Sequence, residues 1–394
     1  MIIILVYILF ISELHACWIW AVSVKGDSST SELNNTEKGL VLEQLESFYN
    51  QSQYAPDGWA FVGYSNIMKD SIDLIFRSER SAYQDSLSYW NRANSILYER
   101  ENSIVMGHIR IATSGVSGIP NPHPWIYQDS VAYSLAHNGT IDKNLLRGLI
   151  TNEGSDNSWL ISNPPQTFGI QSWQDHEGWE NVVDSELILL YIIQQINLVG
   201  SVLEGLESAL SSLLNAGVSP WQLNLVFSDG QNLYSYGASG GLYFAESESH
   251  YSVMSSPPTS ISSSTLEWES ISNGELLVFG DSELVHYPNF ASINDASLNN
   301  TLVAYSVIKT YPNPFNNNVN IHYSTVGISE PELIIFNVLG ETVYKEIILP
   351  NINNVGNTSW SPIGYRGNNL ASGTFIVTIR GKNGHISKKI LFMK

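Results

Sequence analysis

The sequence predicts a mixed α+β domain followed by a small all-β sandwich, and three observations carry that expectation. Over residues 17–280 strand-like segments outnumber helical ones, and the strongest helices form a consecutive central pair, which suits a layered α+β domain better than a regular parallel α/β fold. From residue 305 onward only short β-prone segments between turn signals remain. The charge changes sign at the same place. Residues 1–304 carry 10 Lys and Arg against 33 Asp and Glu, and residues 305–394 carry 8 against 4, within a net charge of -19 for the 394 residues. Such a break implies two separately built domains.

The elements follow from the local patterns. Residues 1–16, MIIILVYILFISELHA, form an apolar run too short to span a bilayer but long enough for the core of a secretory signal, and they end in a small residue before Cys17. No Lys or Arg precedes the run. No other segment is apolar and long enough to cross a membrane. Residues 18–24 are apolar and β-prone, and 37–49 place Leu40, Leu42, Leu45 and Phe48 near helical spacing. Residues 59–64, 72–76 and 104–112 read as strands. Residues 150–180, rich in Asn, Ser, Gly, Pro and Trp, read as a long loop of the kind that forms lids or binding loops. Residues 184–198 form a helix that is acidic at its start and apolar beyond, and 202–214 a second. Strands follow at 222–227, 233–236, 242–245 and 275–279, joined by turn signals such as Ser228-Asp229-Gly230. Residues 281–304 read as a polar linker. Strands at 320–323, 332–336, 342–348 and 374–380 complete the β-module.

Composition excludes several functions. The acidic balance repels a polyanion and argues against nucleic-acid binding. A single cysteine, Cys17, rules out an internal disulfide framework and any multi-thiolate metal site. The nine histidines show no metal-binding spacing, and no glycine-rich phosphate loop indicates ATP; no cofactor or metal is expected.

The placement of that cysteine carries the chemistry. A cut after Ala16 makes Cys17 the first residue, with thiol and α-amine side by side. The thiol titrates near ~8.5 and the amine near ~8, so one terminal residue supplies nucleophile and base together. The segments "CWIWAVS" (17–23), "DGWAFVGY" (57–64), "GHIRIATSG" (107–115), "NPHPW" (121–125), "AHNGTID" (136–142) and "DSELILLYI" (184–192) then follow in order. "LNLVFSDGQNLY" (223–234), "SSPPT" (255–259) and "NGELLVF" (273–279) complete the series. In this order they resemble a class II glutamine amidotransferase domain of the N-terminal-nucleophile hydrolase fold, over residues 17–280.

The resemblance implies a four-layer αββα domain and assigns roles. Cys17 is the nucleophile. The Asn138 side chain and the Gly139 backbone N–H form the oxyanion hole, a type of donor set in which each member is worth about 2.7–4 kcal/mol. Arg110 grips the α-carboxylate of a γ-glutamyl substrate with its two-pronged fork. Asp184 accepts from the α-ammonium, although an Asp at a helix start also caps or complements the helix. Thr113 and His137 join the substrate-binding set. His108 orients its strand, and His123 shapes the loop beside the pocket.

The sequence departs from that family in three ways. Cys17 follows a signal peptide rather than an initiator Met, Trp125 stands where Phe is usual after His-Pro, and no synthetase domain follows to receive ammonia. Water is therefore the expected acceptor, giving hydrolysis of glutamine or a γ-glutamyl amide through a Cys17 thioester.

"TYPNPFNNNVNIHYS" (310–324), "LIIFNVLGETVYK" (333–345) and "LASGTFIVTIRGKNGHISKKILFMK" (370–394) resemble the type A C-terminal sorting domain of the type nine secretion system. That resemblance implies that residues 305–394 engage the outer-membrane secretion machinery and that the protein is secreted or held at the cell surface. Two other readings stay open from sequence. One is a surface lipoprotein with a binding role, lipidated at Cys17, since Leu14-His15-Ala16-Cys17 partly matches a lipobox. The other is a Cys hydrolase of acyl-amides such as bile-salt or penicillin-type compounds, against which the Arg110 and Asp184 pair speaks.

Overall fold

The computed structural model describes residues 17–394 except 114, 116–117, 119–120, 167–172, 239, 259–265, 282, 292–307, 325–330, 349–354, 365–369 and 382–383. The expected signal peptide lies outside the described residues. The chain divides into two compact units, residues up to Gln195 with Leu206–Asn294, and Ile196–Gly205 with Asp295–Lys394.

Through the α+β region the elements are β1 (Trp18–Val24), α1 (Asn35–Gln51), β2 (Trp59–Ser65), β3 (Ile72–Ser78), α2 (Ser86–Tyr98) and β4 (Asn102–Ile109). Then come β5 (Trp125–Gln128), β6 (Ala132–Asn138), α3 (Lys143–Thr151), α4 (Ser158–Ser162), α5 (His176–Asn181), α6 (Asp184–Val199) and α7 (Val202–Asn215). Last are β7 (Asn224–Ser228), β8 (Leu233–Tyr236), β9 (Tyr243–Glu246), β10 (His250–Met254), β11 (Glu269–Ser270), β12 (Leu276–Phe279) and β13 (Leu284–Tyr287). One sheet has the order β11-β9-β10-β1-β4-β2-β3 and the other β13-β12-β8-β7-β6-β5.

The strand period of two explains the stacking. Along β1, Trp20, Val22 and Val24 face a core shared with Val41, Leu45 and Phe48 of α1 and Tyr89, Ala93, Ile96 and Leu97 of α2. The alternate residues Ile19 and Ala21 face a second core, shared with Ala132, Ala136, Val226, Leu277 and Phe279 of the other sheet. Each large apolar side chain buried this way contributes about 1.5–3 kcal/mol. The outer face of the second sheet is also buried, at Leu135, Leu225, Phe227 and Tyr236, and α6 and α7 bury their apolar residues Leu187, Ile188, Leu206 and Leu210. Ser185 of α6 accepts a hydrogen bond from Trp125 Nε1 of β5 at 2.8 Å. The layers run helix, sheet, sheet, helix, as the four-layer expectation requires.

Two segments depart from the sequence reading. The expected loop 150–180 carries the short helices α4 and α5, and Asp175 caps α5 by accepting from the Gly178 amide. The expected linker 281–304 begins too early: Leu284–Tyr287 pairs with β12 as the edge strand of the second sheet. Its alternation is short and half-exposed, which hides a strand from a pattern search.

The second unit forms β14 (Ile308–Tyr311), β15 (Val319–Ser324), β16 (Glu332–Asn337), β17 (Thr342–Ile347), β18 (Val355–Trp360), β19 (Gly373–Gly381) and β20 (Gly384–Phe392). Its sheets, β14-β15-β18 and β17-β16-β19-β20, enclose Val319, Ile321, Leu333, Ile335, Trp360, Val377, Ile379 and Ile390. This is the small β-sandwich.

A buried polar cluster ties the start of α1 to β10. Asn34 caps the helix by accepting from the Thr36 and Glu37 amides. Glu37 then accepts from Ser247 Oγ at 2.6 Å and from His250 Nδ1 at 2.8 Å. The His250 hydrogen bond holds the Glu37 carboxyl down at about 2. A carboxylate whose folded value lies below its unfolded one stabilises the fold fully above the unfolded value, and that share is lost as pH falls through the folded value. Glu37→Gln is therefore expected to lower the thermal midpoint at neutral pH, with the gap to the parent closing as pH drops from about 4.5 toward 2. A gap independent of pH in melting curves across that range would remove this assignment.

Candidate active site

Cys17 directly precedes β1, a central strand held between β10 and β4. Trp18 pairs with Ile109 in the antiparallel ladder, so one step back sets Cys17 opposite Arg110. The Ile111 amide donates to Cys17 Sγ at 3.3 Å, and the thiol faces the Ile111 carbonyl at the same distance. Burial pushes the thiol up to about 11, against the opposing pull of the Ile111 hydrogen bond and the Arg110 cation; the Asp184 carboxylate adds a smaller rise.

Arg110 continues from β4 and is 3% exposed. Its amide donates to the Gly58 carbonyl at 2.9 Å. Burial draws its pKa down while the acidic groups of Cys17, Asp57 and Asp184 draw it up, and a guanidinium stays charged through such a balance. The Asp57 carboxylate accepts from the Ala112 amide at 2.8 Å, which fixes the backbone that touches the sulfur.

The opposite side comes from the end of β6 and the start of α6. Asp184 opens α6, and its Oδ2 accepts from the Ile141 amide at 2.9 Å. The carboxylate thus clamps the turn after Gly139. His137 Nε2 donates to the Gln222 carbonyl at 2.7 Å. Burial lowers the His137 pKa, with Asp184 opposing; in the neutral ring Nδ1 is the remaining acceptor. Thr140 Oγ1 donates to Thr113 Oγ1 at 3.1 Å, and Thr113 is exposed at the rim. A Cβ on Gly139 would lie within 2.7 Å of the Gln222 carbonyl carbon and 2.9 Å of His137 Nε2, so only glycine fits there.

One pocket is lined by Cys17, Arg110, Thr113, His137, Gly139 and Asp184 together, with Ile111 and His123 in its wall. Asn138 is the last residue of β6, opposite Asn224 and 9% exposed. It neighbours Gly139 but is not among the residues lining the pocket. His123 stacks on His108 with centroids 3.4 Å apart, and burial holds both imidazoles well below their usual range. Both rings are therefore uncharged at neutral pH. The sequence pointed to neither Gln222 nor the Ile111 backbone. Asp57 stood in a quoted segment without a role; its signal was an acid two residues before the start of β2. Among the described residues no group of three or more His, Cys, Asp or Glu is arranged to hold a metal ion, and no helix is long and apolar enough to cross a membrane.

Residues 309–393 match the family described as Secretion system C-terminal sorting domain. This module marks the chain for export to the cell surface or for secretion. Uncharacterized protein MJ1515 of Methanocaldococcus jannaschii is 23% identical over 279 residues, which cover 61% of this chain and 66% of that protein. Among solved structures, glutamine phosphoribosylpyrophosphate amidotransferase from B. subtilis aligns at 15% identity and a TM-score of 0.44, over 71% of this chain and 50% of its own. PorZ, a surface component of the type-IX secretion system of Porphyromonas gingivalis, aligns at 18% identity and a TM-score of 0.18, over 31% of this chain and 15% of its own. The chain thus spans half or less of these solved proteins. Its chemistry has to be argued from the pocket.

Proposed function

We propose that residues 17–280 are an exported cysteine N-terminal-nucleophile amidohydrolase, of class II glutamine amidotransferase type, acting on glutamine or a γ-glutamyl amide. The observation that carries this reading is the convergence of Cys17, Arg110, His137, Gly139 and Asp184 on one pocket. Removal of residues 1–16 leaves Cys17 with a free α-amine. Burial in the pocket pushes the Cys17 thiol up in the uncut chain, so attack needs a base within reach, and the α-amine freed on the same residue is that base.

In this reading Arg110 holds the substrate α-carboxylate and Asp184, with the His137 Nδ1 acceptor, faces the α-ammonium. Sγ attacks the γ-carbonyl carbon as the amine takes the thiol proton. The carbonyl oxygen becomes an oxyanion, met by the Gly139 N–H and the Asn138 amide. The C–N bond then breaks, and the leaving ammonia or amine takes the proton from the α-ammonium. Water, deprotonated by the same amine, attacks the Cys17 thioester, releases glutamate and restores the thiol.

The test is direct. Mature protein is incubated with L-glutamine and γ-glutamyl-p-nitroanilide, release of ammonia or nitroaniline is followed, and intact mass defines the terminus. Release with an unmodified Cys17 terminus is expected. A thioether-linked lipid on Cys17, or no release from either compound, overturns the reading. Arg110→Lys keeps the charge but loses the fork. A charge-assisted hydrogen bond is worth about 1.5–3 kcal/mol, so KM is expected to rise roughly 10- to 150-fold with kcat changed far less. Equal turnover of analogues lacking the α-carboxylate would remove Arg110 from this role.

A further inference from the structure

We infer that Gln222 is a positioning residue for the Gly139 amide, holding the turn 137–140 in the shape that faces Cys17. The inference rests on the reading of the pocket proposed above, but its basis is separate. Gln222 lies 85 positions from His137, on the short turn Pro220–Gln222 that leads into β7. It grips the turn at two points. Its carbonyl accepts from His137 Nε2 at 2.7 Å, and its side-chain Nε2 donates to the Thr140 carbonyl at 2.6 Å. Between these two bonds sits Gly139, packed so closely under the Gln222 carbonyl that no side chain fits.

The same side chain is itself held. Ser219 and Gln222 form a reciprocal capping box, in which Gln222 Oε1 accepts from the Ser219 amide at 3.1 Å. The amide group is therefore used at both ends: oxygen for its own turn, nitrogen for the pocket turn. Only Gln does both. Glu retains the oxygen acceptor that the capping box favours and loses the donor. The two bonds also act on different properties of the pocket. The bond to Thr140 fixes the peptide that follows Gly139. The bond from His137 sets the tautomer, leaving Nδ1 as the acceptor of a ring that lines the pocket. A preorganised oxyanion donor loses its value when it shifts by a fraction of an ångström, so loosening the turn is expected to act on kcat before KM.

The experiment compares Gln222→Glu and Gln222→Met with Glu37→Gln in the mature chain. Three quantities are read: thermal midpoint, kcat and KM for L-glutamine, and hydrogen exchange of the peptide covering 136–142. Both Gln222 variants are expected to lower kcat 10- to 100-fold with KM within threefold of the parent, and to speed exchange of the 136–142 amides at least tenfold. Glu37→Gln, which weakens the α1–β10 cluster and touches no pocket residue, is expected to lower the midpoint while leaving kcat and the 136–142 exchange near parental values. Parental exchange in the Gln222 variants, or a kcat loss matched by Glu37→Gln at the same loss of midpoint, overturns the inference. If the parent hydrolyses no γ-glutamyl amide, the functional reading fails, and the exchange comparison decides the role of Gln222 alone.

Discussion

Cys17→Ala is expected to abolish hydrolysis of γ-glutamyl amides, lowering kcat by at least ~10^4-fold with the fold intact, on the scale of losing a covalent nucleophile. The side chain makes one set of polar contacts, both to Ile111, and it sits at the edge of a strand whose packing residues begin at Ile19 and Trp20. A small truncation there leaves both cores filled, so circular dichroism and thermal midpoint should match the parent. The same environment predicts the pH response of the unprocessed chain. With Cys17 in peptide linkage and its thiol pushed up to about 11, alkylation by iodoacetamide should rise about tenfold per pH unit from 7 to 10, because only the thiolate reacts. Cleavage after Ala16 places a titrating amine next to the sulfur, and the profile should move to lower pH. Undiminished turnover in Cys17→Ala, or a flat alkylation profile in the uncut chain, would be incompatible with this account.

Gly139→Ala has the second largest expected effect, and for a different reason. The added methyl has no space: backbone atoms of Gln222 and the His137 ring already occupy the position. Forcing it in costs about 1–3 kcal/mol of stability. The relief has to come from the turn itself, since Gln222 is anchored by its capping box. The Gly139 amide then leaves the oxyanion position, and kcat is expected to fall roughly 100- to 1,000-fold. Labelling of Cys17 by a glutamine-like electrophile should slow with it, whereas iodoacetamide, which forms no oxyanion, should react at the parental rate. Equal slowing of both reagents would assign the defect to general unfolding.

Much of the scaffold was legible because its strands alternate cleanly. WIWAVSV gives β1 at its observed bounds, and the α6–α7 pair stands out as an apolar stretch behind an acidic start. What escaped had weak local signals. The buried face of α2 is made of Tyr89, Ala93, Ile96 and Leu97 among Ser, Asn and Arg, and α4 and α5 are too short to show a period. β10, HYSVM, is buried at every position, so its polar residues look like a loop until their partners are known. At the pocket, residues whose chemistry is in the side chain could be nominated from sequence, as Cys17, Arg110 and Asp184 were. Ile111 and Gln222 touch the site through backbone atoms or across long sequence separations, and no residue type announces that.

The position of β1 inside its sheet has a consequence for biogenesis. Its ladder is locked on both sides, Trp20 to Met254 and to Gly107, and a slip of one residue would turn Trp20 and Ile19 to the wrong faces. The strand cannot slide to compensate for a start site that is off by one. Under the proposed chemistry, a chain trimmed one residue early or late would fold into the same sheets yet present either no thiol or a thiol without its amine. The fidelity of the processing protease would then set the fraction of active molecules, independently of how well the domain folds.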